Sequence, residues 1–407
     1  SAAPGSSGAE SLQSAALRTS QTNTQEAGVD EPDIVKTDSA GRLYILSSRS
    51  LQVLAALPPQ DLAGRSVAVL DLSGGATDGF FYAQDFLLDE AHARAVILAT
   101  DYDPAQGLRS VKIIVDVSNP AAPRELLRLS VDGYGINTRR IGDRVHHVSR
   151  FYVPAPAWFY NGDDALQGQR NEYYQARSQN DQARADRLEA EMRTEITRRV
   201  TAAGAQVLLP RIHRQETGAD PIESTLACNA ISHPEVTTGL GLAVVESFNT
   251  NGSSHAISAL INNAYLSYTS EQNLYLAQTS AGWFFAPRQV DQSVIYRLAL
   301  SATGPAVYQS LGLVDGFVRD AYSMSEHDSH LRVATTEFRS TADRFTSYNH
   351  LSVLTATGTG EMRLAGALRD LAPGETLQAA RLIGPRGYLV TFRRIDPLFA
   401  LDLSNPA

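Results

Sequence analysis

The densest group of potential metal ligands lies near the amino terminus, where four carboxylates follow closely: Asp30, Glu31, Asp33 and Asp38. Carboxylate oxygens are the ligands that Ca²⁺ prefers, so Asp30, Asp33 and Asp38 could hold a structural calcium ion. The same side chains also cap turns by accepting hydrogen bonds from backbone amides. Both interpretations are open at this point, and the spacing favours turn caps.

A second candidate metal site is formed by His327 and His330, which flank Asp328 in a predicted hairpin loop. Imidazole is a common zinc ligand, but a closed site needs further Cys, His or carboxylate ligands. No Cys or third His lies nearby in the sequence, so a solvated loop is the simpler interpretation. His146 and His147 are consecutive in a predicted strand, where neighbouring side chains point to opposite faces. They are therefore not expected to share a metal.

Other catalytic patterns are not found in the sequence. It contains no Gly-x-Ser-x-Gly elbow for a nucleophile and no glycine-rich phosphate loop. Asp101 and Asp103 begin a pattern like a calcium loop, but Ala105 and Lys112 stand where ligands are required. The single cysteine, Cys228, is expected either to be a buried small hydrophobe or to pair outside these residues. We predict no catalytic residues and no cofactor, and structural calcium stays open.

Composition limits the function classes further. The net charge is -9 and the isoelectric point about 5.5, which argues against binding nucleic acid or an anionic membrane surface. No apolar run is long enough to span a bilayer, so no transmembrane segment is predicted. Charged residues make up only 19%, and the sequence begins Ser-Ala-Ala-Pro-Gly, as a processed exported protein would. We therefore predict a secreted or periplasmic protein.

The candidate ligands must be positioned by β-strands, because short apolar runs rich in β-formers recur along most of the chain. Strand and turn motifs repeat: Asp116–Pro120 matches Asp402–Pro406, and Val131–Tyr134 matches Val314–Phe317. A spacing of roughly 45–60 residues with four short strands per unit is typical of propeller blades, whereas a β-sandwich would not repeat its turns. We predict an all-β propeller of four-stranded antiparallel blades, with about six begun and the last incomplete.

The domain organisation follows from two interruptions of the strand pattern. Residues 1–28 have almost no large apolar side chains and are predicted to be a flexible N-terminal arm. The propeller occupies 29–407, with a helical insertion at about 164–236. Its clearest part carries one apolar stripe, which we expect to lie on the propeller or on a partner: Leu188, Met192, Ile196 and Val200.

These residues resemble a known family. The stretch from Asn23 to Asp38, the turn ending at Pro120, and the region 371–399 are similar to entry and closing motifs of secreted bacterial and archaeal β-propeller proteins distantly related to WD repeats. The similarity covers 22–150 and 240–407. It implies export and a propeller fold, but no established activity and no catalytic residues. Members of the family continue past the position of Pro406.

We therefore predict an exported, non-catalytic interaction or scaffold module, because no convergent catalytic set is visible and function must be argued from a site. The alternative is an exported hydrolase with its active site at the propeller funnel. The expected partner is another protein or a missing C-terminal segment that completes the ring. An aromatic group could be either an exposed contact surface or a buried layer under the insertion: Phe151, Tyr152, Trp158, Phe159, Tyr160, Trp283, Phe284 and Phe285.

Overall fold

The computed structural model describes residues 24–55, 66–74, 80–104, 107–154, 164–235, 239, 241–280, 292–341, 344–358, 360–392 and 398–407. Strands dominate, as the alternation of apolar and polar residues predicts. The all-β propeller fold is confirmed. Most of the predicted N-terminal arm, residues 1–23, lies outside the described residues.

The described strands form six consecutive antiparallel meanders. The chain opens with β1 (Val29–Asp30), followed by the first meander, β2 (Val35–Thr37), β3 (Arg42–Leu46), β4 (Ser50–Ala55) and β5 (Ser66–Asp71). The second contains β6 (Phe80–Asp89), β7 (Arg94–Asp103), β8 (Gly107–Asp116) and β9 (Arg124–Asp132). The third starts with β10 (Tyr134–Ile141) and β11 (Arg144–Tyr152).

An insertion interrupts the third meander. It contains α1 (Asp164–Ser178), α2 (Gln182–Ala203), β12 (Arg211–Glu216), β13 (Ile222–Thr225) and β14 (Ile231–Ser232). The third meander is then completed by β15 (Gly241–Asn249) and β16 (Ala256–Ile261). The predicted helical insertion at 164–236 thus holds two helices and three strands. Those strands are added to neighbouring sheets, β12 beside β9 and β14 parallel to β16.

The remaining strands complete the series. The fourth meander contains β17 (Leu266–Thr269), β18 (Asn273–Ser280), β19 (Gln292–Ala299) and β20 (Val307–Asp315). The fifth contains β21 (Met324–His327), β22 (His330–Thr341), β23 (Arg344–Ala356) and β24 (Gly360–Leu371). The sixth has β25 (Thr376–Ile383), β26 (Arg386–Phe392) and β27 (Leu398–Asp402). The number of blades in the closed ring stays a prediction.

Successive meanders pack face to face through apolar side chains. Leu51 and Val53 of the first lie against Ile97 and Ile113 of the second, and equivalent cores join each later pair. Within the described part of the chain, no such core joins the sixth meander to the first. Each of these two meanders therefore has one face without a neighbouring sheet.

The helices form a hairpin with a small core of its own. Asp181 caps α2 by accepting a hydrogen bond from the Arg184 amide, as its position before the helix predicts. Of the predicted apolar stripe only Leu188 is buried, and it packs in a cluster with Tyr173, Ala176 and Ala185. Met192, Ile196 and Val200 remain partly exposed.

We expect Leu188→Asp to destabilise this hairpin by about 2–4 kcal/mol, because the new carboxylate is buried without a partner. Met192→Asp is the matched control and should cost much less, since its side chain already reaches solvent. Urea unfolding followed by circular dichroism measures both. Equal losses would show that the stripe as a whole is covered.

Candidate functional site

The first strand of every meander meets one short segment of the chain. Residues 24–34, here called the channel segment, continue directly into β2 and contact the first strands of the other five meanders through Phe86 of β6, Arg140 of β10, Tyr268 of β17, Met324 of β21 and Arg381 of β25. Six strands that meet one segment must converge around it. The channel segment therefore lies where a propeller has its central channel.

Backbone hydrogen bonds fix the channel segment at two places. Val29 and Asp30 form β1, which pairs antiparallel with the free edge of β10. Asp33 and Phe86 exchange two backbone hydrogen bonds, each 3.0 Å long. The Gln25 side-chain amide donates to the carbonyl oxygens of Ala321 and Met324, both at 2.9 Å. The segment is thus held along its length as an added strand would be.

The acidic side chains of the segment face cations on the channel wall. Asp30 accepts from Lys36 Nζ and from Arg140 Nη2, both at 2.9 Å. Glu31 Oε1 lies 3.4 Å from Arg139 Nη2. Burial of the Arg139 guanidinium lowers its pKa, and the nearby Glu31 carboxylate opposes this shift. Charged pairs at such half-buried positions interact more strongly than they would in water.

Glu26 occupies the other end of the channel segment. Its Oε1 accepts from the Tyr268 hydroxyl at 2.8 Å and from Ser325 Oγ at 3.3 Å. Burial raises the pKa of Glu26, while these hydrogen bonds and the charges of Arg332 and Arg381 act in the opposite direction. The pocket around Glu26 is thus built from donors and cations.

Each of the predicted calcium ligands, Asp30, Asp33 and Asp38, is engaged by different protein groups. Asp30 is engaged by Lys36 and Arg140, and Asp33 Oδ1 accepts from the Ile34 amide at 2.7 Å. Asp38 accepts from the Arg42 amide and from the Tyr44 hydroxyl. Calcium binding there stays a prediction. Across the described ranges, no three His, Cys, Asp or Glu side chains are grouped as a metal ion would require.

The predicted histidine pair lies in the tight turn between β21 and β22. His327 and His330 are directly opposite in register, and the left-handed turn residues Asp328 and Ser329 separate them. His330 Nδ1 lies 2.8 Å from the Asp328 carbonyl oxygen, and His327 Nε2 lies 3.6 Å from the Asp328 carboxylate. The register therefore places the two histidines on the same face of the hairpin, and a metal there stays a prediction.

Asp85 is the titratable group in the channel that the sequence reasoning missed. It follows a bulge in β6, between Ala83 and Asp85, where the register with β7 shifts. Burial raises its pKa to about 6, with Arg139 opposing the shift and Asp33 adding to it. A carboxyl group with this pKa can exchange a proton near neutral pH.

We expect Asp85→Asn to stabilise the protein at pH 7.5 by about 2–3 kcal/mol, since the pKa rises from 3.8 to about 6 and each pKa unit corresponds to about 1.4 kcal/mol. The folded state holds this proton more tightly than the unfolded state does. Ionisation of Asp85 therefore destabilises the folded state as the pH rises from about 4 to 6. The asparagine side chain does not ionise, so the variant avoids this loss of stability. Thermal melts at pH 4 and 7.5 measure the effect, which should vanish at pH 4. Asp220→Asn, at an exposed position, should leave both melts unchanged.

A second charged site, also unpredicted, is buried between the second and third meanders. Lys112 of β8 and Glu246 of β15 form an ion pair in which both side chains are fully shielded from solvent. Burial alone would raise the pKa of Glu246, but the Lys112 ammonium and the His255 ring, 3.2 Å away, lower it to about 2. The sequence signal for this pair was one charged residue inside each of two apolar runs, Lys112 in β8 and Glu246 in β15.

A buried imidazole adjoins this ion pair. His147 lies 2.7 Å from Ser110 Oγ and 2.7 Å from Thr138 Oγ1. Burial and the nearby Lys112 charge lower the pKa of His147 to about 3. The ring is therefore neutral near pH 7 and joins the two hydroxyls in a closed, solvent-shielded network.

The predicted aromatic group is only partly described. Phe151 is buried in a core with Leu242, whereas Tyr152 is exposed, with the Arg150 guanidinium 4.4 Å above its ring. Trp158, Phe159, Tyr160, Trp283, Phe284 and Phe285 lie outside the described residues. Cys228 is exposed, so the prediction of a buried small hydrophobe is wrong. It begins a short 3-10 turn, Cys228–Ala230, in the insertion, and its neighbours Leu226 and Ala230 belong to an apolar core.

The meanders arranged around a shared channel segment define a β-propeller protein. The model of the beta propeller domain family matches residues 19–407, and the chain belongs to this family. Among the described residues, no helix is long and apolar enough to cross a membrane.

Two archaeal relatives are similar over part of the chain, and both are uncharacterised. A protein of Methanocaldococcus jannaschii is 35% identical over 99 residues, which cover 23% of this chain and 14% of the relative. A protein of Archaeoglobus fulgidus is 29% identical over 119 residues, which cover 29% of this chain and 17% of the relative. The matched regions thus span less than a fifth of each relative.

Solved structures give only distant likenesses. The WD40 domain of SCAP from fission yeast is 5% identical, with 92% of this chain and 85% of that chain covered and a TM-score of 0.28. A mutant of the Synechocystis apocarotenoid oxygenase is 8% identical, with coverages of 88% and 64% and a TM-score of 0.26. Similarities with TM-scores this low support no statement about function.

Proposed function

We propose that the protein is an exported, non-catalytic interaction module whose partner packs on the free faces of the sixth and first meanders. The observation on which this proposal depends is that both faces expose apolar side chains. Phe392 and Leu398 of the sixth meander are 70% and 63% exposed, and Val69 of the first is 62% exposed. Low charge content supports the exported location, as does the resemblance of the entry motif.

The strand register places these side chains in patches. Val390 is opposite Leu398, and Phe392 follows on the same face of β26. In the first meander, Val35 is opposite Ile45, and Gln52 separates Ile45 from Val69 in the same row, so this patch is less continuous. Burying each large apolar side chain contributes about 1.5–3 kcal/mol, so another sheet packed on either face would gain considerable stability. Exposed patches of this kind mark interaction sites.

The outer edge of β27 supports a particular partner, a further segment of the same polypeptide. Within the described part of the chain, nothing pairs with that edge. The turn after β27 reproduces the turn after β8, because the carboxylates of Asp116 and Asp402 accept from Ser118 and Ser404 amides, both at 3.0 Å. In the second meander that turn leads into β9, the fourth strand. A segment after the second turn would occupy the equivalent position beside β27.

The test is to isolate the natively produced protein from periplasm and medium, and to measure its intact mass and bound components. A longer chain, or a second component retained through purification, is expected. Phe392→Asp with Leu398→Asp should release or unfold that component, whereas Tyr174→Asp on the exposed face of α1 should not. A monomer of 44.0 kDa with no bound component would contradict the proposal.

The second candidate is an exported hydrolase that uses the channel, and Asp85 is the observation that favours it. Its raised pKa suits proton transfer near neutral pH. A broad panel of ester, glycoside and peptide substrates tests this function. Turnover that disappears in Asp85→Asn would support the enzyme and would contradict the non-catalytic module.

A further inference from the structure

We propose that the channel is a binding site for acidic, extended peptides, and that residues 24–33 of the chain are its resident ligand. This inference does not depend on the free faces of the first and sixth meanders. It rests on the charge of the wall, on its backbone pairing edge, and on a built pocket for one carboxylate.

The wall presents cations to the acidic side chains of the channel segment. These cations come from four meanders: Lys36, Arg139, Arg140, Arg332 and Arg381. Wall carboxylates also lie near the segment or near these cations: Asp85, Asp89, Glu271 and Asp328. Asp30 of the segment lies between two of the cations, 2.9 Å from Lys36 Nζ and 2.9 Å from Arg140 Nη2. Without an anionic occupant at this position, these two cations would face one another in a partly desolvated space.

The pocket for Glu26 is preformed. Arg332 is 3% exposed, and its Nη2 donates to Ser325 Oγ at 2.9 Å, while its Nε has no hydrogen-bond partner among the described residues. Tyr268 is also buried, and its hydroxyl donates to Glu26. These groups are held by the fourth and fifth meanders, so they remain in place whichever peptide occupies the channel.

Backbone pairing explains why the ligand is extended. β1 adds to the edge of β10, as peptide ligands add to exposed sheet edges in β-augmentation. Gly28 has a φ of +77°, a left-handed conformation that favours glycine. The site therefore selects a peptide with an acidic residue, a glycine two positions later, and a further acidic pair after it.

The experiment uses the full chain and a fluorescein-labelled peptide with the sequence of residues 23–34. The triple variant Glu26→Gln, Asp30→Asn, Glu31→Gln weakens the binding of the resident segment to the channel wall. We expect the peptide to bind this variant at least tenfold more tightly than wild type, with affinity that falls as salt rises. Adding Arg140→Gln and Arg381→Gln should reduce the binding at least tenfold, and a scrambled peptide should bind weakly.

Equal binding to wild type and triple variant, or equal binding of the scrambled peptide, would overturn the proposal. Hydrogen exchange on the wild-type chain provides a measurement that needs no variant. The amides of Val29, Asp30, Glu31 and Asp33 should exchange several-fold faster in 1 M NaCl than in 50 mM NaCl, while those of β18 stay unchanged. If salt leaves the exchange of residues 29–33 unaffected, charge does not hold the segment and the proposed site is rejected.

Discussion

Lys112→Ala is expected to lower the free energy of unfolding by about 3–5 kcal/mol, the largest single effect in this protein. The substitution leaves the Glu246 carboxylate fully buried and removes the cation that keeps its pKa low. His255 alone offers a hydrogen bond at 3.2 Å. Chemical denaturation at pH 7 measures the loss, which should shrink as the pH falls and the carboxyl group becomes protonated.

The matched control is an exposed ion pair, Arg363 with Glu361 at 2.9 Å. Arg363→Ala should change stability by less than about 0.5 kcal/mol, because exposed pairs contribute little. The double variant Lys112→Met, Glu246→Leu should recover most of the lost stability, since apolar residues of similar volume replace buried ion pairs well. A double variant as unstable as Lys112→Ala would contradict the assignment of the loss to an unpaired charge.

Gly133→Ala and Gly316→Ala should each destabilise the fold by about 2–4 kcal/mol. Both glycines connect one meander to the next with positive φ, +114° and +85°. A Cβ at Gly133 would lie 2.3 Å from the Arg150 carbonyl oxygen, and one at Gly316 would lie 2.5 Å from that of Thr336. Because these oxygens belong to strand backbone, neither contact can relax without moving a sheet.

Gly142→Ala separates the two causes of this loss, which are the strain of a positive φ and the contact of the new Cβ with neighbouring backbone. Gly142 also has positive φ, +60°, but a Cβ there meets nothing within 4 Å. It should cost only about 1 kcal/mol, the strain of the left-handed conformation. Thermal unfolding of the three variants gives the comparison. Similar losses at all three positions would mean that conformation alone, rather than contact with the next meander, requires glycine.

The repeats were predictable because they are local. The motif shared by Val131–Tyr134 and Val314–Phe317 predicted equivalent turns, and the structure places Gly133 and Gly316 in equivalent contacts. The matching turns after β8 and β27 likewise have the same side-chain hydrogen bonds. Strand type and turn chemistry depend on neighbouring residues, so one sequence suffices to predict them.

The contacts of the channel were not predictable in the same way. Glu26 meets Tyr268 and Ser325 only after most of the chain has folded around it. Residues 24–28 belong to a stretch with few apolar side chains, which is why an arm was predicted there. Lys112 and Glu246 are separated by 134 positions, and nothing local to either residue indicates its partner.

The channel segment has a consequence for the order in which the protein folds. Thr24 precedes every meander in the chain, yet its carbonyl oxygen accepts a hydrogen bond from Arg381, 357 positions later. Meanders can pair and pack locally as they are completed, whereas this contact must close a loop of nearly the whole chain. The channel segment, which precedes all six described meanders in the chain, is therefore expected to dock after they have formed. Its docking would mark the stage of folding at which all six are in place.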